Sequence, residues 1–157
     1  LYRGGKEQKI RQYLIDNNYV DTVIQLPPNL FFGVTIATCI IVLKKSKKEN
    51  KTLFIDASQL FVHEGNKNKL SPENIKAIVA EYADRKEIKH FSALVDNATI
   101  AENGYNLSVS SYVEAEDIRP KTDIKELNAR IARIVEHENQ LRAEINAIIK
   151  ELEAETL

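Results

Sequence analysis

The segment with the most chemistry to offer is Leu26-Pro27-Pro28-Asn29-Leu30-Phe31-Phe32-Gly33. Two prolines stiffen it and remove two backbone donors, and two adjacent phenylalanines cannot both point into one core. A loop packed by its own Phe side chains is the simpler reading. The alternative is an aromatic that stacks on a planar ligand, including a base extruded from a duplex. A second patch is the lysine run Lys44, Lys45, Lys47, Lys48 and Lys51. Such a run is ordinarily a solvated turn; the alternative is contact with a phosphate backbone. Gly4-Gly5 reads as a turn, because the chain has no G-x-G-x-x-G and no G-K-[ST] phosphate cradle. His63, His90 and His137 lack the i, i+3 or i, i+4 spacing of paired ligands, so no metal site is expected. Cys39, inside an apolar run, reads as a small hydrophobe rather than a nucleophile.

These residues need elements to position them. Lys6 to about Asn17 has Ile10, Tyr13 and Leu14 at helical spacing and predicts an amphipathic helix. Val20–Leu26 predicts a strand, ended by Pro27-Pro28-Asn29. Thr38-Cys39-Ile40-Ile41-Val42-Leu43 has almost no polar alternation, which predicts a central strand covered on both faces. The aromatic loop then lies beyond the carboxyl end of a strand, where open α/β sheets carry functional loops. Thr52–Asp56 predicts another strand, Ala57–Val62 a short helix and His63–Lys69 a loop. Ser71-Pro72 opens a helix with Ile75, Ile78, Val79 and Tyr82 as its stripe. Phe91–Val95 predicts a strand, Ala98–Glu102 a helical turn stopped by Asn103-Gly104, and 105–107 and 112–113 short extended pieces.

The last segment has the clearest pattern. Ile124, Leu127, Ile131, Ile134, Leu141, Ile145, Ile148 and Leu152 recur at alternating steps of three and four, with Glu138 holding one position of the seam. Thr122 or Asp123 can cap the start, and a helix over Asp123–Glu153 would reach roughly 50 Å at ~1.5 Å per residue. Val135 and Ile149 widen the stripe. A lone helix of this kind exposes a large apolar patch, so a partner is expected; a helix folded back on its own domain is the alternative. The domains expected are 1–113, an acidic linker over 114–122 containing Pro120, and the heptad helix within 123–157.

Composition narrows the classes. The 157 residues carry a net charge of −1, which argues against a protein held to nucleic acid by bulk positive charge. With 43% hydrophobic and 29% charged residues, the chain is not wholly disordered. It has no window of ~18 apolar residues for a membrane span, and its first residues do not form a signal peptide. One cysteine cannot form an internal disulfide, so a reducing, cytoplasmic setting is expected. The absence of Met and the opening Arg-Gly-Gly turn suggest the later portion of something longer.

Several pieces taken in order resemble a known family. They are Leu1–Gly5 with Lys9-Ile10-Arg11, Leu26–Gly33, Thr38–Lys45 and Leu53–Ser58, then Asn66–Leu70, Ile75–Arg85, Tyr105-Asn106-Leu107 and Tyr112-Val113. The set resembles the C-terminal part of the modification (M) subunit of type I restriction-modification systems, a DNA adenine-N6 methyltransferase that uses S-adenosyl-L-methionine. The departures are Ala37, where the family often has Pro, and Ser110-Ser111, where it often has Pro-Arg.

The resemblance implies an α/β fold: the C-terminal part of a Rossmann-like methyltransferase sheet with flanking helices, followed by a long coiled-coil-type helix. It implies that Val20–Leu26 and Thr38–Leu43 are the last two strands of that sheet. It makes Phe31 or Phe32 the residue that stacks on the flipped target base; Lys44, Lys45, Lys47 and Lys48 stand as candidates for DNA backbone contact on the basic run alone. It places no catalytic residue in this chain. The family's Asn/Asp-Pro-Pro-aromatic tetrapeptide has different flanks from Leu26-Pro27-Pro28-Asn29, and the S-adenosyl-L-methionine motif would also lie upstream of Leu1. The chain alone is therefore expected to be inactive. The implied partners are a specificity (S) subunit docked on the heptad helix, a second M subunit and double-stranded DNA, with no membrane. The reading from a different class is a non-catalytic α/β interaction module that self-associates through its coiled coil.

Overall fold

A computed structural model describes residues 1–116 and 123–155. The chain divides into two compact units, Leu1–Glu116 and Asp117–Leu157. Residues 117–122, including the Pro120 stretch of the expected linker and Thr122 as a cap, lie outside the described residues.

The first unit is a mixed α/β fold, as expected. Its elements are α1 (Lys6–Asp16), β1 (Val20–Gln25), β2 (Cys39–Leu43), β3 (Lys51–Asp56), β4 (Val62–Glu64), β5 (Lys67–Lys69), α2 (Pro72–Asp84), β6 (Ser92–Asp96) and α3 (Asn97–Glu102), with a 3₁₀ turn at Val109–Ser111. Among the described residues the main sheet has the order β2-β1-β3-β6. β1 runs parallel to β3 and antiparallel to β2, and β6 runs antiparallel to β3.

Strand alternation feeds two cores. Val23 and Phe54 point to one face, where Ile15 of α1, Ile100 of α3, Leu107, Val109 and Val113 cover them. Ile24, Leu53 and Ile55 point to the other, beneath Ile78 of α2. Phe54 is fully buried and lies against Tyr112 with ring centroids 4.4 Å apart. β1 and β3 are thus the strands buried on both faces, as apolar runs in a layered sheet should be.

β2 corrects the expectation for Thr38–Leu43. Among the described residues it is an edge strand, hydrogen-bonded to β1 alone, and Cys39, Ile40, Ile41 and Leu43 are exposed. Cys39 is accordingly an exposed thiol and not a buried hydrophobe. The composition reports how much cover the strand is built for, and the described residues do not supply that cover. Nor are β1 and β2 the last two strands of the sheet, because β3 and β6 extend it on the far side of β1.

Smaller differences have local causes. Asp56 Oδ1 accepts the Ser58 N–H at 2.9 Å, which turns the chain where a helix over Ala57–Val62 was expected. His63–Lys69 is no open loop: 62–64 pairs with 67–69, and Gly65 at φ 64° closes a two-residue connection. On α1, Ile10 and Tyr13 are exposed while Arg11 and Ile15 are buried. The helix is turned to that face because the Arg11 guanidinium donates to Tyr105 O at 2.7 Å and Arg3 O at 2.6 Å. Tyr105 is left-handed at φ 58°, so 105–107 is not simply extended. On α2, Ser71 Oγ accepts the Asn74 N–H at 3.2 Å as a cap, yet Ile75 and Val79 face solvent and Ile78 and Glu81 are buried.

The second unit contains α4 (Ile124–Glu155). Asp123 Oδ1 accepts the Lys125 N–H at 2.8 Å, satisfying an otherwise orphan donor of the first turn.

Candidate functional site

The aromatic loop leaves the buried strand β1 and returns to the edge strand β2. Its neck is closed by the Leu26 N–H donating to Thr38 O at 2.8 Å. Pro27 is fully buried and Leu30 packs into the core under α2. Leu30 thereby takes the anchor position, and neither phenylalanine points inward. Phe31 is half exposed and Phe32 is 89% exposed. Gly33 at φ 71° completes the turn that presents them, with the Val34 N–H on Phe31 O at 3.2 Å.

The β4–β5 hairpin reaches this loop. Asn68, 7% exposed, donates its side-chain Nδ2 to Pro28 O at 2.8 Å and its backbone N–H to Asn29 O at 3.0 Å. Asn29 itself is left-handed at φ 55°. Lys67 Nζ lies over the Phe32 ring, 4.1 Å from its centroid. Sequence reasoning missed both hairpin residues. The available signal was Gly65-Asn66 between two largely polar triplets, a weak hairpin cue because Val62 is their one apolar residue.

The four lysines named as backbone contacts do not act alike. Lys44 Nζ pairs with Asp21 Oδ2 at 3.1 Å and lies 4.9 Å from the centroid of the Tyr82 ring. Lys47 donates to Val20 O at 2.6 Å. Burial pushes the Lys47 ammonium down to about 8, against the opposing pull of Asp21. These two hold the β2–β3 connection onto the end of β1, whereas Lys45 and Lys48 are exposed. A recess of about 290 Å³ among Asp21, Lys44, Lys47, Lys48, Glu49 and Arg85 marks the place.

Asp21 is the hub of that cluster. Its side chain is 5% exposed, and Arg85 Nη1 reaches its Oδ1 at 3.2 Å. Burial raises its pKa, but Lys44, Arg85 and the Thr22 hydroxyl outweigh burial and hold it below the ordinary carboxylate value. A folded-state value below the unfolded one means stability present at neutral pH and lost as pH falls through the unfolded and then the folded value. Asp21→Asn is expected to cost about 1–2 kcal/mol near pH 7, a figure discounted because Lys44 is half exposed. The same variant should flatten the acid limb of a pH-dependent urea titration below about pH 4.

A second recess, about 350 Å³, opens at the β1–β2 end beside Leu1, Tyr2, Gln25, Ala37, Thr38 and Cys39. Thr38 Oγ1 is buried there without a hydrogen-bond partner. His63 lies on β4, His90 in the connection between α2 and β6, and His137 on α4, and no group of three metal-ligating side chains occurs among the described residues. No helix among them is long and apolar enough to cross a membrane.

On α4 the expected seam is exposed along its length: Ile124 71%, Ile131 50%, Ile134 59%, Ile145 55% and Ile148 55%. Leu127, Leu141 and Leu152 are exposed with them, as are Val135 and Ile149 beside the seam. Glu138 Oε1 accepts Arg142 Nη2 at 2.7 Å one turn on.

Comparison with known proteins bears on these features. A family model described as N-6 DNA Methylase matches residues 1–121. The chain is 46% identical to the type I restriction enzyme MpnII methylase subunit of Mycoplasma pneumoniae, over 99% of this chain and 29% of that protein. It is 40% identical to the MjaVII methylase subunit of Methanocaldococcus jannaschii, over 80% of this chain and 24% of that protein. The chain thus spans under a third of the length of these relatives. Among solved structures, the type I restriction-modification methyltransferase subunit of Streptococcus thermophilus superposes with a TM-score of 0.72 at 39% identity, covering 74% of this chain and 25% of that one. A chain from a study of complex assembly and conformational transition in the type I system shares the fold over 98% of this chain, with a TM-score of 0.57 at 19% identity. By a family match over most of its length and by these relatives, the chain belongs to the N-6 DNA methylase family, among the methylase subunits of type I restriction-modification systems.

Proposed function

We propose that this chain is the distal portion of a site-specific DNA adenine-N6 methyltransferase subunit, supplying the base-stacking loop, completion of the sheet and a docking helix. The observation that carries the reading is Phe32, 89% exposed on the loop beyond the carboxyl end of a strand buried through Ile24, in an N-6 DNA methylase chain. An exposed ring on a loop pinned from beneath offers a face on which a planar base can stack. Lys45 and Lys48 remain as backbone contacts, with Lys44 and Lys47 holding the connection from which they project.

Methyl transfer by the family implies S-adenosyl-L-methionine, whose bound methyl group would be the one transferred. The recess beside the aromatic loop's neck does not offer the set of groups that would hold that donor. This recess, at the β1–β2 end, is lined by neither a carboxylate nor a glycine. No step is therefore assigned to donor or catalytic residues in this chain, which by itself is inactive. Titration calorimetry of this chain with S-adenosyl-L-methionine should give no heat of binding, while the full subunit binds; micromolar binding by the chain alone would overturn the division of labour.

The α4 seam is the docking surface for the specificity subunit, in a complex that also holds a second methylase subunit and duplex DNA. Glu138 argues for a different helix as partner rather than a second copy. It stands midway between Ile124 and Leu152, so full-overlap self-pairing brings Glu138 against Glu138 whether the helices run parallel or antiparallel. Like charges in a seam disfavour the pairing. A self-dimerising module therefore fits α4 less well than a partner helix with a cationic or polar residue at that level.

A further inference from the structure

We infer that Lys67 and Asn68 are positioning residues for the aromatic loop, and that Lys67 closes one face of the Phe32 ring so that a planar base is received on the other. The inference rests on the base-stacking reading above and names Phe32, not Phe31, as the stacking residue.

A hairpin of two three-residue strands is marginal by itself, and this one is anchored to the loop it serves. Asn68 spends its buried amide and its backbone N–H on the consecutive carbonyls of Pro28 and Asn29. Those carbonyls belong to the left-handed residue Asn29 and the residue before it, where the chain turns outward, so Asn68 sets the direction in which Leu30 goes in and the phenylalanines go out. Lys67 is the next residue along the hairpin. The hairpin's one carboxylate, Glu64, is taken by Lys69 at 3.2 Å, and Lys67 instead stands on the ring face. A cation over an aromatic face is attracted by the ring quadrupole. It also restricts an otherwise free side chain, reducing the ordering entropy that a base would have to overcome on stacking. Phe32 remains 89% exposed with that ammonium in place, so its other face is open.

The test uses the full methylase subunit assembled with its specificity subunit, reading base stacking on a duplex with 2-aminopurine at the target position and kcat/KM on the same duplex with adenine there, because 2-aminopurine lacks the 6-amino group that is methylated. Lys67→Met keeps the stem and removes the charge. It should lower the stacked fraction of the extruded base, seen as brighter emission, and cut kcat/KM about 2- to 5-fold, with Tm unchanged. Lys67→Arg should restore both, and the Lys67→Met effect should vanish in a Phe32→Ala background. Lys67→Met indistinguishable from wild type, while Phe32→Ala is impaired, would overturn this inference and leave the base-stacking reading standing. Equal loss in Lys67→Met and Lys67→Arg would make Lys67 a merely structural residue and overturn it as well. A silent Phe32→Ala would instead remove the base-stacking reading itself.

Discussion

Aspartate in place of Ile131 or Ile145 is expected to abolish co-purification of the methylase subunit with its specificity subunit at ordinary protein concentrations. Both residues sit on the α4 seam, half exposed in this chain, and a docked helix would cover them. A carboxylate carried into that contact without a cation opposite costs about 3–5 kcal/mol, roughly a hundredfold to a few thousandfold in Kd. Ala143→Asp lies on the opposite face of the same helix and should leave assembly intact, which separates loss of the seam from loss of helix. The measurement is titration of tagged specificity subunit against each variant, with circular dichroism to confirm that the helix persists. Retained affinity in both seam variants would take the docking role away from α4.

Phe32→Ala should leave assembly and DNA binding nearly unchanged and strike the chemical step. Stacking of a base on an aromatic side chain is worth about 1–3 kcal/mol by alanine substitution, so kcat/KM for the target adenine should fall roughly 5- to 150-fold. The loop's fold should survive, because Leu30, Pro27 and the Asn68 hydrogen bonds hold it from beneath. Phe31→Ala should do less, since Phe31 is half exposed and Phe32 is the ring that Lys67 covers. Phe32→Leu keeps bulk without the ring face and should resemble Phe32→Ala, so the pair distinguishes stacking from filling of space.

The sheet, the loop and the long helix were legible because each rests on local signals. β-branched residues over Val20–Leu26, a proline pair after it and a heptad repeat after Asp123 all survive in a single chain read by itself. Burial was not legible where it depends on what lies beside an element. Thr38–Leu43 has the composition of a covered strand and stands at an edge, and the α1 stripe of Ile10 and Tyr13 faces solvent because the Arg11 guanidinium claims the inner side. The site was half legible. Two adjacent phenylalanines signalled an exposed aromatic, but Lys67 and Asn68 lie more than thirty residues away, in a hairpin whose pairing only the fold reveals. The lysine run looked uniform in sequence, and the structure divides it by which ammonium finds Asp21 or the Val20 carbonyl.

The exposed edge of β2 bears on the central claim, that these strands belong to a wider methyltransferase sheet completed by polypeptide outside this chain. An apolar edge left in water invites pairing, and β2 offers Cys39, Ile40, Ile41 and Leu43. Hydrogen exchange at the β2 amides that point away from β1 tests this most directly, measured in this chain alone and in the full-length subunit. The account predicts rapid exchange in the chain and protection stronger by about 100-fold or more in the subunit. Equal exchange in the two, whether fast or slow, would contradict it.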